Sequence, residues 1–310
     1  MNPCRKEKRA QIGDDVPHKN AGYSYKFQIQ DSLPNETISQ VLGRHFKHST
    51  QQQWLERIFQ GEIALGERPL KADCTCSNGD WVVWNRPGWI EPVVPRTFSV
   101  LYENESLLAV NKPSGLPTIP GGGFLESTLL HLVRQQFASD LRPLHRLGRG
   151  TSGVVLFAKD QSSAHHWLKH WHEVEKTYLA LVAGRPNQTV YDIQEPIGPI
   201  SHPRLGTVHS VSATGKASRS VARIMRMEDE NAIMEVELHT GRPHQIRIHL
   251  ASIGHPLVGD PIYGPGARLL HHPGLPSDLG YKLHALRMRL RCPKTAKTLE
   301  LEAPIPIGLT

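Results

Sequence analysis

The sequence predicts an α+β protein in two parts. A domain built on a mixed, mainly antiparallel sheet is expected over residues 96–310, preceded by a small α/β module over 23–95. Three observations carry this. From Phe98 onward, short strand-like runs and isolated helical runs are intermixed, without the regular strand–helix alternation of a parallel sheet. Two helical runs and a hairpin pattern occupy the stretch from Asn35 to Trp84. Between the two regions, Pro87, Pro92 and Pro95 punctuate a linker. A chain of 310 residues is long enough for two domains. Its 38% hydrophobic and 21% charged content is that of a soluble globular protein.

Each element follows in order. Residues 1–22 mix Lys, Arg, Asp, Gly and Pro without apolar periodicity and are expected to form a disordered tail. Asn35 is placed to cap a helix with Ile38, Val41, Leu42 and Phe46 on one face. Ser49 or Thr50 caps a second, with Trp54, Leu55, Ile58 and Phe59 inward and Gly61 stopping it. Glu62–Leu65, a turn at Gly66-Glu67, and Trp81–Trp84 after Asn78-Gly79-Asp80 read as strands. In the larger region the strands are Leu107–Val110, Val154–Ala158, Tyr178–Val182, Val221–Met225, Ile233–Leu238 and Leu283–Leu290. Helices are expected over Ser127–Phe137 and from Ser162 to about Glu173.

Charge and cysteine usage narrow the function classes. A net charge of +7 and a pI near 9.3 suit a polyanionic partner. Cys4, Cys74, Cys76 and Cys292 are too few and too irregularly spaced for a disulfide framework or a zinc site. No apolar run approaches a membrane span, and residues 1–20 hold no apolar signal core, so a cytoplasmic location is expected. His166 and His170 share a helix face but lack a third ligand, so no metal is expected.

Two segments stand out chemically. The loop His145-Arg146-Leu147-Gly148-Arg149-Gly150-Thr151-Ser152-Gly153 is rich in Arg, Gly and hydroxyls and feeds an apolar strand. Such a loop suits a phosphate-bearing ligand, and it lacks the Lys-Ser/Thr ending of a nucleotide-hydrolysing P-loop. In Thr240-Gly241-Arg242-Pro243-His244-Gln245-Ile246-Arg247-Ile248-His249-Leu250, Pro243 suits a first helical turn. Ile246, Leu250 and Ile253 recur at helical spacing, and Gly254 and Pro256 end the helix. His244 and Arg247 then share a face near the helix N-terminus, where an anion is favoured.

Four segments spanning about 104 to 293 resemble the RluA family of RNA pseudouridine synthases. They are Glu103–Gly115 with its Asn111-Lys112-Pro113-Ser114-Gly115 turn, the 145–153 loop, Lys176-Thr177-Tyr178, and Thr240–Leu250. The continuation Gly254–Gly264 and Lys282-Leu283-His284-Ala285 are similar to the family's closing segments. The module over 23–95 looks like a divergent S4 RNA-binding domain.

The resemblance implies a pseudouridine-synthase fold and isomerisation of uridine in structured RNA, rRNA or tRNA, with no cofactor and no obligate protein partner. It implies that Tyr178 packs on the base, that Arg247 pairs with a catalytic Asp, and that Arg146 fills the gap left by an extruded base or holds a phosphate. His145, Arg149, Thr151, Ser152, Arg242, His244 and Gln245 are expected to line the RNA groove with Arg146. The family's catalytic Asp position is Gly148 here. Asp140 and Asp160 flank the loop at positions that do not match. With no acid at 148, Arg247 is expected to rest against a phosphate, a water or a displaced acid. A non-catalytic RNA-binding or RNA-folding protein that keeps the synthase fold is the alternative expectation.

Overall fold

The structure is a computed structural model and describes residues 8–11, 17–202, 206–292 and 297–310. Two compact units emerge: Pro17–Glu91, and Pro92–Thr310 together with the strand Lys8–Gln11.

In the smaller unit a four-stranded sheet runs in the order Tyr23–Gln28, Trp81–Arg86, Ile63–Leu65, Arg68–Pro69. The helices Ile38–His45 and Gln51–Phe59 bury Ile38, Val41, Leu42, Trp54 and Ile58 against Ile29, Ile63 and Val82. The cap of the first helix is Thr37, not Asn35. Asn35 sits at φ 63°, outside the extended conformation of a cap, while the Gln40 side chain accepts from the Thr37 N–H at 2.9 Å. Thr50 and Gln53 cap the second helix reciprocally. Phe59, expected inward, is exposed, because it ends the helix on the side away from the sheet-facing Trp54 and Ile58.

The expectation for 1–22 lies largely outside the described residues. Where residues are described it gives way: Lys8–Gln11 pairs with Thr97–Val100, and His18–Lys19 pairs with Ile90–Glu91.

The larger unit is organised by an 11-stranded sheet. Its main path runs Lys8–Gln11, Thr97–Glu103, Leu107–Lys112, Ser152–Ala158, Leu283–Arg291, Glu175–Ala183, Asn231–Leu238, Ser220–Glu228, Val190–Ile193. The pairings are antiparallel except Ser152–Ala158 with Leu283–Arg291, which are parallel. The central strands are covered on both faces. Leu108, Val110, Val155 and Phe157 pack toward the helix Leu129–Gln136 and toward Ile246 and Leu250. Leu107, Ala109, Val154 and Leu156 pack toward Ala164 and Trp167 of the helix Gln161–Lys169. That double coverage is why these strands read as unbroken apolar runs.

Two helices differ from expectation. The run from Ser162 breaks at His170 into an α-helix and a short 3-10 turn, Trp171–Glu173. The helix in the 240–250 segment is Gln245–Ser252. Pro243 therefore precedes it, because His244 takes a left-handed φ of 55° at the cap. The hairpin Ile197–His202 with Gly206–Val211 forms a separate two-stranded sheet that the sequence did not announce.

Candidate active site

The 145–153 loop is held open by the Asn111–Gly115 turn and the residues after it. Thr118 Oγ1 donates to the Leu147 carbonyl at 2.9 Å and accepts from the Leu147 N–H at 3.2 Å. Ser114 Oγ donates to the Gly150 carbonyl, and the Gly115 N–H to that of Arg149, both at 2.8 Å. The fully buried Lys112 ammonium donates to the carbonyls of Pro113, Leu116 and Arg149 at 2.8, 2.7 and 3.3 Å. Burial, with Arg149 beside it, pushes the Lys112 pKa down to about 7.

Gly153 docks the loop onto the sheet. It sits at φ 108°, and a Cβ there would come within 2.2 Å of the Ala285 carbonyl oxygen. Only glycine allows this approach. Gly153 pairs with Ala285, and Ala285 pairs with Tyr178. The end of the loop and Tyr178 therefore share one row of the sheet, two strands or about 10 Å apart. Tyr178 is 6% exposed, and burial raises its pKa. Its ring is part of the core cluster that also holds Tyr281 and Ala285.

Arg247 enters from the helix Gln245–Ser252. It is buried and doubly bonded to Asp260, Nε to Oδ2 and Nη2 to Oδ1, both at 2.7 Å. Asp260 also accepts from the backbone N–H groups of Ile262 and Tyr263. With its side chain 1% exposed and both oxygens held by Arg247, it is placed to position that guanidinium. The expected open anion site beside Arg247 is already filled by this displaced acid. The Arg247 guanidinium lies 4.5 Å from the Tyr281 ring centroid.

Tyr281 links Arg247 to Gly148. Gly148 is exposed, and a Cβ built on it would meet Tyr281 Oη at 3.1 Å and Thr151 Oγ1 at 3.6 Å. Thr151 Oγ1 and Tyr281 Oη are 3.4 Å apart.

His244 completes the cluster. Its Nδ1 meets Tyr263 Oη at 2.8 Å, and Tyr263 Oη donates to the His209 carbonyl at 2.7 Å. The single phenol proton is thereby used, so His244 Nδ1 carries its own proton and Nε2 is an acceptor. Burial, with the Arg247 charge next, pushes the His244 pKa down to about 3; Arg146 acts in the same direction. The charge of Arg146 is felt at His244, so these two motifs, distant in the chain, lie near each other.

The structure brings Gly148, Thr151 and Arg247 together around Tyr281 and joins His244 to Arg247 through Tyr263, while Tyr178 lies two strands from the end of the loop. It ties other expected RNA contacts to the protein's own groups. His145 Nε2 accepts from the Leu156 N–H, its ring stacks on Trp171, and burial pushes its pKa down to about 3. Ser152 Oγ bonds His284 Nδ1 at 2.9 Å. Arg149 Nε holds the Gly115 carbonyl, and Arg242 holds the Ala217 carbonyl through Nε and Nη2. Gln245 bonds Thr240, the Arg242 N–H, the Arg219 carbonyl and Ser220, which leaves its amide nothing to offer RNA. Sequence reasoning missed Tyr281 and Tyr263; both adjoin or lie within the matched segments, but their ring positions depend on tertiary packing.

Comparison with known proteins fits this geometry. The family model described as RNA pseudouridylate synthase matches residues 106–252. An uncharacterized RNA pseudouridine synthase of Synechocystis is 38% identical over 85% of this chain and 92% of its own length. The chain belongs to the RNA pseudouridine synthase family. RNA pseudouridine synthase 5 of Oryza sativa is 32% identical over 95% of this chain and 90% of its own length. Human RNA pseudouridylate synthase domain containing 1 shares the fold, with a TM-score of 0.55 at 23% identity over 69% of this chain and 86% of that one. Family membership accounts for the mixed sheet. It does not supply a side chain at Gly148. Among the described residues no helix is long and apolar enough to cross a membrane, and no group of three or more acidic, His or Cys side chains is arranged to hold a metal.

Proposed function

We propose that this chain isomerises uridine to pseudouridine in structured RNA, rRNA or tRNA. The supporting observation is the Arg247–Tyr281 stack beside Gly148, with His244 under the charges of Arg247 and Arg146. The reaction breaks the N-glycosidic bond, turns the base and rejoins it through carbon, releasing the C5 hydrogen. The target base leaves its stack first, at a cost of a few kcal/mol. Arg146, exposed at the rim, takes the phosphate or the vacated space. Tyr178 offers a ring face to the base. Tyr281 Oη, 3.1 Å from where a Gly148 Cβ would sit and backed by the Arg247 guanidinium, is then the group that meets the ribose in place of the family's carboxylate. The unit Pro17–Glu91 acts as an S4-like RNA-binding module.

Gly148 itself favours a second reading, in which the chain binds RNA without altering it. Tritium release from RNA carrying 5-tritiated uridine decides between them. Release by the unsubstituted chain supports the synthase; RNA binding without release supports the binding protein.

A further inference from the structure

One face of the sheet in Pro17–Glu91 carries an open array of rings. The register sets Tyr23 across from Arg86, Tyr25 across from Trp84 and Phe27 across from Val82. The period of two puts all six on one side. Phe27 and Val82 are closed over by the core, and Trp84 is packed partly against it through Trp54. The other end is open, with Tyr23 52% and Tyr25 41% exposed.

The open rings are ordered. Tyr25 and Trp84 lie 5.4 Å apart with planes inclined by 28°, and Tyr23 meets Tyr25 at 4.8 Å. The Trp84 indole N–H donates to the Glu62 carboxylate at 2.9 Å, which fixes its plane. Cations border the tyrosines by lying over the neighbouring indoles. Arg57 lies 4.6 Å and Arg86 5.5 Å from the Trp84 centroid, and Arg86 is 3.5 Å from that of Trp89. Burial lowers the Arg57 pKa; Glu62 and Glu56 oppose this, and Arg86 adds to it. Two guanidiniums are thus close enough to repel each other at the edge of an exposed aromatic surface, an arrangement that a polyanion relieves.

We propose that this face is a stacking platform for the unpaired bases of RNA. The assignment rests on the reading that the chain acts on RNA. Phenol and indole faces accept any base face, and guanidiniums at their borders meet the phosphates of the same strand. A duplex keeps its base faces within its own stack and offers none, so the ligand is a single-stranded segment flanking the structured target.

The test uses the whole protein and two labelled probes, an oligouridine and an RNA duplex of equal length, with binding read by fluorescence anisotropy at fixed salt. Replacing both tyrosines, Tyr23→Leu with Tyr25→Leu, is expected to weaken oligouridine binding on the order of tenfold while duplex binding is retained. Tyr23→Phe with Tyr25→Phe keeps the rings and is expected to keep the affinity. Trp81→Ala, at an exposed ring on the opposite face of the same strand, is expected to leave oligouridine binding unchanged. A thermal melt of each variant separates lost binding from lost folding. The proposal is overturned if the Leu pair binds oligouridine like the unsubstituted chain, or if single strand and duplex weaken together. It is equally overturned if the Leu pair changes only the sedimentation behaviour, which would make the face a protein contact. If the unsubstituted chain binds neither probe, the RNA reading fails along with the platform; if it binds oligouridine and the Leu pair does so equally, the platform alone fails.

Discussion

Tyr281 Oη lies 3.1 Å from the point where a Cβ on Gly148 would sit, while the Tyr281 ring packs on the Arg247 guanidinium. A phenol thus borders Gly148, the position where the resemblance expects a carboxylate, and packs on Arg247, the residue expected to pair with it. Tyr281→Phe retains the ring packing and removes the oxygen. It is expected to lower tritium release by about 10²-fold or more with the melting temperature nearly unchanged. Undiminished release would remove Tyr281 from the chemistry.

The Arg247–Asp260 pair is buried, with side chains 4% and 1% exposed. Truncating one member leaves the other charge uncompensated. Asp260→Ala is expected to destabilise the fold by about 3–5 kcal/mol, read as a lower urea midpoint. A shift below about 1 kcal/mol would mean that water replaces the carboxylate easily.

Acid should loosen the site. His145 and His244 are held neutral, each with its pKa pushed down to about 3. An unfolded histidine titrates near 6.5. Between those values the unfolded chain binds more protons, so stability rises with pH across that window and is lost as pH falls below about 6.5. At pH 5 the buried His244 alone accounts for up to about 2 kcal/mol, at 1.36 kcal/mol per pH unit. Urea unfolding at pH 7 and pH 5 measures this, and His244→Gln should narrow the difference. Equal midpoints at the two pH values would refute it.

Arg146 is exposed at the rim, whereas Arg242 is tied to the Ala217 carbonyl. Arg146→Gln should reduce the slope of log affinity against log salt by about 1, and Arg242→Gln should change it less. An unchanged slope for Arg146→Gln would place its charge away from the phosphates.

Much of this was legible in the sequence because it is local. The runs Val154–Ala158 and Tyr178–Val182 lie within the observed strands, and the Gly, Pro and hydroxyl residues around 111–118 and 145–153 marked the clasped loops. What failed depended on neighbours distant in the chain. Gln245 and His145 look like polar ligand groups, yet the Ser220 and Leu156 partners that engage them come from strands whose pairing no local pattern states. Asp260 was visible, but its grip on Arg247 across 13 positions required the turn after the helix. The cap at Thr37 went to the residue whose φ allowed it, and the side-chain type of Asn35 could not reveal that.

The most direct measurement compares tritium release from 5-tritiated uridine RNA by the unsubstituted chain and by Gly148→Asp. The backbone at Gly148 has ordinary φ, and the nearest atoms to an added Cβ are two side-chain hydroxyls, so the acid fits with a small movement of Tyr281. The account predicts release by both, faster with the carboxylate in place. Folded, RNA-bound unsubstituted chain that releases no tritium would contradict it, whether or not Gly148→Asp releases any.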